Sequence, residues 1–196
     1  MSLKHAILGF LSFAPGPLSG YDLKKAFDNS VRHFWPANQS QIYRTLAVLV
    51  EEGLVEVDVV ERDERLDMKL YHIIENGRVE LHRWLSTPLP PQDYREPLLI
   101  QLFFGGHLTD DELLGLLQSE AQAVEERLAV YAEIYTGAVN RLAQANDPRA
   151  LFLGLLTMEF GIVSNQAGLD WLRSVIARLQ AGDYSPADLA TLLGDV

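Results

Sequence analysis

Apolar residues at Leu3, Ala6, Ile7, Phe10 and Leu11 recur three and four positions apart, which predicts a helix that stops near Ala14-Pro15-Gly16-Pro17. Ser19 followed by Asp22 has the spacing of a capping box, and a second helix should run through GYDLKKAFDNS. That helix would bury some combination of Tyr21, Leu23, Ala26 and Phe27. Asn38 with Gln41 repeats the signal and opens a third helix, QSQIYRTLAVLVEEG, with Ile42, Leu46, Leu49 and Val50 inward and Gly53 as its stop. The period then changes from helical to alternating. Val55, Val57 and Val59 interleave with Glu56, Asp58 and Val60, the polar run RDERLD follows, and MKLYHII returns as a second strand. A further helix, NGRVELHRWLS, follows the hairpin.

Four prolines in LSTPLPPQDYREP, residues 85–97, interrupt helical periodicity and divide the chain at about residue 90. Beyond them every segment reads as helix. A short one over 95–105 contains Leu98, Leu99, Leu102 and Phe103, and Thr109 with Glu112 caps the next. From there Leu117, Ala121, Val124, Leu128, Tyr131, Tyr135, Ala138, Leu142 and Ala145 alternate spacings of four and three, a heptad seam. Asp147-Pro148 opens the last long helix, where Leu151, Leu155, Met158, Ile162, Asn165, Leu169, Leu172, Ile176 and Leu179 repeat the pattern. A second stripe on that helix holds Leu156, Phe160, Val163, Ala167, Trp171 and Val175. Two stripes exceed the needs of one intramolecular partner, so a homodimer is expected. Its interface is assigned to Leu155, Met158, Ile162, Asn165, Leu169 and Leu172. Asn165 in an apolar seam either fixes register or sits partly exposed.

The expected fold is therefore mainly α. Residues 1–90 form a winged helix-turn-helix with a two-stranded β-wing. Residues 91–196 form an antiparallel helical domain of long heptad-patterned helices, for dimerisation and effector binding. In a helix-turn-helix the start of the third helix enters the major groove. Asn38, Gln39, Ser40, Gln41, Tyr43, Arg44 and Thr45 supply polar groups there, and Gln and Arg side chains suit adenine and guanine edges respectively. Lys24 and Lys25 on the preceding helix are placed to hold phosphates, as are Arg62, Arg65 and Lys69 in the wing. Phe34-Trp35-Pro36 is expected to pack the second and third helices together. Trp84 and Trp171 are either core residues or the lining of an effector cavity between the domains.

Charge sharpens this reading. The 196 residues carry a net charge of −11, yet residues 1–50 are net +3 while 51–90 are −5 and 91–196 are −9. So acidic a chain is no sequence-blind polyanion binder, but a basic first segment on an acidic body can touch DNA in one orientation. The same acidity supports an alternative: a winged-helix protein-interaction module that does not read DNA. Cysteine is absent, which fits a reducing, cytoplasmic setting, and no window is expected to cross a membrane. The five histidines form no metal-binding pair, GxxxxGK, GxSxG and GxGxxG are missing, and neither catalysis, cofactor nor metal is expected.

The stretches AILGFLSFAPGPLSGYDLKKAF, QSQIYRTLAVLVEEGLVE and MKLYHIIENGRVELHRWL, in that order, resemble the PadR family of bacterial transcriptional regulators. REPLLIQLFF with two long helices after it resembles the C-terminal half of the longer subfamily. The resemblance implies a homodimeric winged-helix protein, usually a repressor, on a pseudo-palindromic double-stranded operator. It also implies release by a small hydrophobic, often aromatic or phenolic, effector held between the domains or at the dimer interface. By it, Tyr43 and the polar residues 39–44 belong to the recognition helix and Lys69 to the wing. The chain departs from the family in two places. Ile74 stands where the family commonly has a capping Thr, and Asp63, Glu64 and Asp67 make the wing tip acidic.

Overall fold

In a computed structural model, which describes residues 2–61, 67–91, 95–142 and 147–188, the chain packs as two units, 1–93 and 94–196. The first unit runs α1 (Ser2–Phe13), β1 (Leu18–Ser19), α2 (Gly20–Asn29), α3 (Gln39–Glu51), β2 (Val55–Val60), β3 (Met68–Ile73) and α4 (Glu75–Leu85). The second runs α5 (Pro97–Phe103), α6 (Asp110–Leu142) and α7 (Pro148–Gln180).

Both capping boxes of the first unit form. Ser19 Oγ accepts from the Asp22 N–H while Asp22 accepts from the Ser19 N–H, and Asn38 and Gln41 do the same at α3, both bonds at 2.9 Å. Orphan donors at both helix starts are thereby satisfied. At the other end of α3, Gly53 sits at φ 65°, its N–H reaches Val50 O, and Leu54 N–H reaches Leu49 O. That pair of bonds is a Schellman stop, and it delivers the chain directly into β2.

The sheet departs from expectation. It has three strands, in the order β1-β3-β2 and antiparallel throughout, because Leu18 pairs with Tyr71 and Ser19 with Leu70. Two residues cannot show alternation, and their pairing lies some fifty positions away, so β1 left no local mark. Beneath the sheet, Ile7, Leu8, Leu23, Phe27, Ile42, Leu46, Leu49 and Val55 are essentially fully buried. Phe34 and Trp35, expected to pack α2 against α3, lie largely at the surface, whereas Val50 packs half-buried against the core. Of the four candidates on α2, Leu23 and Phe27 are buried and Tyr21 is 67 % exposed. On α2 the inward face is taken by Leu23 and Phe27, which turns Tyr21 to solvent. At α4, Ile74 is the N-cap and no side chain caps the helix; the Ile74 N–H is held instead by Leu54 O at 3.3 Å.

A polar tie joins α1 to α4. His5, buried, stacks on Trp84 with ring centroids 4.5 Å apart, and its Nε2 lies 3.1 Å from Glu80 Oε1. Arg83 donates to the same carboxylate from Nε and Nη2. The His5 contact first, and Arg83 second, hold the Glu80 carboxyl below its ordinary value of 4.5. A depressed carboxylate stabilises the fold above its unfolded pKa and loses that contribution as pH falls through the folded one. Thermal melts of wild type should therefore weaken on acidification below about pH 4.5, and Glu80→Gln should flatten that limb. Parallel pH profiles for the two proteins would remove Glu80 from the acid response.

In the second unit α6 and α7 pack antiparallel. Arg127 Nη1 donates to Asn165 Oδ1 at 2.9 Å, Arg173 pairs with Glu125 at 2.8 Å, and Leu117, Ala121, Val124, Leu169 and Leu172 are buried between them. Asn165 also donates to Gly161 O, so its register bonds lie within one chain. Helix α7 meets, by length and composition alone, the test for a membrane-crossing segment, which the sequence reading did not expect. It carries Glu159, Asn165, Gln166 and Asp170 along its length and buries a seam against α6. The core helix of a soluble protein passes the same test, so one such helix is weak evidence of a membrane span.

Candidate nucleic-acid interface

Helix α3 buries Ile42, Leu46 and Leu49, so the positions between them face outward. Its first turns hold the expected polar residues, but several are already engaged. Asn38 and Gln41 close the capping box, leaving only their amide N–H groups for another acceptor. Thr45 Oγ1 donates to Gln41 O at 2.9 Å, and Arg44 Nε reaches Ser40 O at 3.3 Å while its two Nη groups stay available. Gln39 and Ser40 are exposed and form no side-chain bond among the described residues. Gln39, Ser40 and the Arg44 fork are thus the uncommitted groups that can meet base edges, with the Asn38 and Gln41 amide N–H groups as donors beside them.

Tyr43, 42 % exposed, does not project with them. Its ring lies over Gly20, where a Cβ would stand 2.4 Å from Cε1. It forms one wall of a cleft of about 550 Å³ shared with Ser19, Tyr21, Met68 and Lys69. A second cleft, of about 400 Å³, is lined by Lys24, Asp28, Arg32, Asn38 and Gln41. Lys24 is only half free because Asp28 pairs with it one turn on, whereas Lys25 is exposed. Lys69, on β3 opposite Val59, is exposed and forms no ion pair among the described residues. Arg62 and Arg65 lie outside the described residues.

Sequence reasoning missed Tyr21 and Arg32, which line these clefts. A signal existed for Tyr21, since two residues before the buried Leu23 is the wrong spacing for a shared helix face. For Arg32 there was only its place in the basic first segment.

The other assigned residues fall in separate units. Trp84 belongs to the tie with His5 in the first. Trp171 borders a groove of about 360 Å³ in the second, with Leu98, Leu99, Val124, Arg127 and Asn165. The residues expected at a dimer interface are mostly taken up inside one chain. Leu155, Met158, Leu169 and Leu172 are buried within the chain, and Ile162 and Asn165 are half-buried. The apolar surface left free on α7 is the neighbouring stripe of Leu156, Phe160, Val163 and Trp171.

A three-helix core with a β-wing, a capped and polar third helix, and a long helical hairpin after it define a winged helix-turn-helix transcriptional regulator. The comparisons make this specific. Residues 7–83 match the model of the transcriptional regulator PadR-like family and residues 94–180 that of the virulence activator alpha C-terminal region. The probable transcriptional regulator Rv1176c of Mycobacterium tuberculosis is 31 % identical over 194 residues, covering 92 % of this chain and 98 % of that protein. The negative transcriptional regulator PadR of Bacillus subtilis is 28 % identical over 182 residues, covering 90 % and 97 %. Its crystal structure with operator DNA superposes with a TM-score of 0.74 over 91 % of this chain and 99 % of the other, at 28 % identity. Its complex with p-coumaric acid gives 0.70 at 27 % identity, over 91 % and 95 %. The chain belongs to the PadR-like family of DNA-binding transcriptional regulators, and that family is not one of enzymes.

Proposed function

We propose that this regulator is a cytoplasmic homodimeric repressor that holds a pseudo-palindromic operator through paired α3 helices. A small hydrophobic or phenolic effector releases it. Residues 1–90 read DNA, and residues 91–196 dimerise and carry the effector response. The carrying observation is α3 itself, a helix whose start presents Gln39, Ser40 and the Arg44 fork from a fully buried base. Lys25 and Lys69 flank it as phosphate contacts, with Lys24, Arg62 and Arg65 as weaker ones. The B. subtilis relative supports the finer parts, being a negative regulator whose structures hold operator DNA in one case and p-coumaric acid in another. Trp84 and Trp171, both aromatic and partly accessible, are the proposed effector-facing residues.

The test is fluorescence anisotropy with the duplex upstream of the chain's own gene, at two salt concentrations, against random competitor. Binding should be saturable, resist competitor and fall with salt. Arg44→Ala should cost about 1–3 kcal/mol on that duplex if the fork reads a base. Equal loss to random DNA, or no binding at all, would instead favour the protein-interaction module that the acidity of the chain suggests.

A further inference from the structure

The cleft between α2 and β3 combines two outward phenols with a lysine. Tyr21 is turned out of the core by Leu23 and Phe27. Tyr43 starts from the middle of α3 but lies down toward the strand side, because Gly20 leaves room for its ring: a Cβ there would stand 2.6 Å from Cζ and 2.9 Å from the hydroxyl. That phenol is close enough to Tyr71 that, after burial, it is the second cause holding the Tyr71 hydroxyl above its ordinary pKa. Lys69 closes the cleft from β3, and Asp22 and Asp67 complete the lining. The Asp22 carboxylate is committed to the Ser19 N–H and hydroxyl at 3.0 and 2.6 Å. Asp67 is exposed.

We propose that this cleft seats one phosphodiester of duplex DNA, with the Tyr21 and Tyr43 hydroxyls and the Lys69 ammonium donating to its oxygens and Asp67 weakening the hold. Tyr43 then grips backbone rather than reading a base, and Gly20 is its positioning residue. The inference rests on the DNA-binding reading above and assigns to it a residue, Tyr21, that the recognition helix does not contain. One lysine against two carboxylates leaves no excess positive charge, so the cleft does not retain a free anion. It takes a phosphate delivered on a duplex that α3 already holds. Phenol-to-phosphate bonds are sequence-independent, whereas base contacts are not.

The experiment is anisotropy titration of the full chain with two labelled duplexes, the upstream region of its gene and a random sequence of equal length, over a range of salt. Tyr21→Phe and Tyr43→Phe should each weaken both duplexes by the same factor, about fivefold or more, with discrimination between them unchanged. Lys69→Ala should weaken both and lower the salt slope by about one unit, and Asp67→Asn should tighten both. Inorganic phosphate at matched ionic strength should displace neither duplex. Both phenylalanine variants keep the ring, so the packing over Gly20 is retained and loss of affinity reports the hydroxyl. Unchanged affinity in both variants on a wild-type background that binds DNA overturns the seat alone. Loss confined to the upstream duplex in Tyr43→Phe returns Tyr43 to base reading and also overturns it, as does competition by inorganic phosphate. A wild-type chain that binds neither duplex overturns the DNA-binding reading and the seat together.

Discussion

Replacing Gly77 with alanine should destabilise the N-terminal unit by about 2 kcal/mol, even though alanine is the better helix former. Gly77 is buried in the first turn of α4, and a Cβ there would stand 2.2 Å from the Leu54 carbonyl oxygen and 2.8 Å from Ile73 Cγ1. The isoleucine methylene can rotate away; the carbonyl is fixed from several sides. Leu54 O accepts from the Ile74 N–H, and Leu54 N–H is itself committed to Leu49 O in the stop of α3. Relief therefore requires moving the α3–β2 junction against α4. The helix-propensity gain is about 1 kcal/mol, while overpacking of this kind costs about 1–3 kcal/mol and more where backbone must move. For a unit of this size the net loss corresponds to a fall in Tm of roughly 10 °C by circular dichroism. Because the displaced junction sets α3 against the wing, DNA affinity should fall as well at temperatures where the variant is folded. An unchanged or raised Tm would show that the junction yields freely.

The same junction illustrates what the sequence carries and what it does not. Elements written in local spacing were legible: Ser19 with Asp22, Asn38 with Gln41 and Gly53 after α3 all form the contacts their positions imply. Features made by distant partners were not. Strand β1 is two residues whose pairing with β3 is fixed by tertiary packing, and the need for a glycine at 77 arises from a carbonyl at residue 54. The candidate interface divides in the same way. The polar start of α3 was readable from residue type, but type does not report prior engagement. Asn38 and Gln41 commit their amide oxygens to the cap, and Lys24, a phosphate candidate, is paired with Asp28, which leaves Gln39, Ser40 and the Arg44 fork as the uncommitted groups. On α7 the two stripes were visible, yet which one meets α6 depends on how α6 is turned. The structure gives that role to the stripe of Leu155, Leu169 and Leu172.

Phe160→Glu should convert a dimer to a monomer and remove operator binding with it. Phe160 is 75 % exposed and Val163 62 %, and with Leu156 and Trp171 they form the apolar face of α7 that α6 leaves open. Burying one such side chain contributes about 1.5–3 kcal/mol, so the stripe, doubled by symmetry, can hold two protomers together. In a two-fold contact each residue meets its own counterpart or a near neighbour. A glutamate at 160 therefore loses the ring's burial and sets two carboxylates in one apolar interface, where an unpaired charge costs several kcal/mol. Sedimentation should report twice the chain mass of 22.0 kDa for wild type and the single mass for the variant. The N-terminal unit does not depend on α7 for its core, so its melt should persist. DNA binding should nevertheless drop, because one recognition helix reads only one half-site and the second contact, about 34 Å along the duplex, is lost. What remains should be weak and nearly indifferent to sequence. A variant that stays dimeric would shift the interface to the exposed face of α5, with Ile100 and Phe103. A wild-type monomer would remove the paired-helix reading altogether, since a lone half-site contact cannot supply the discrimination that a palindromic operator provides.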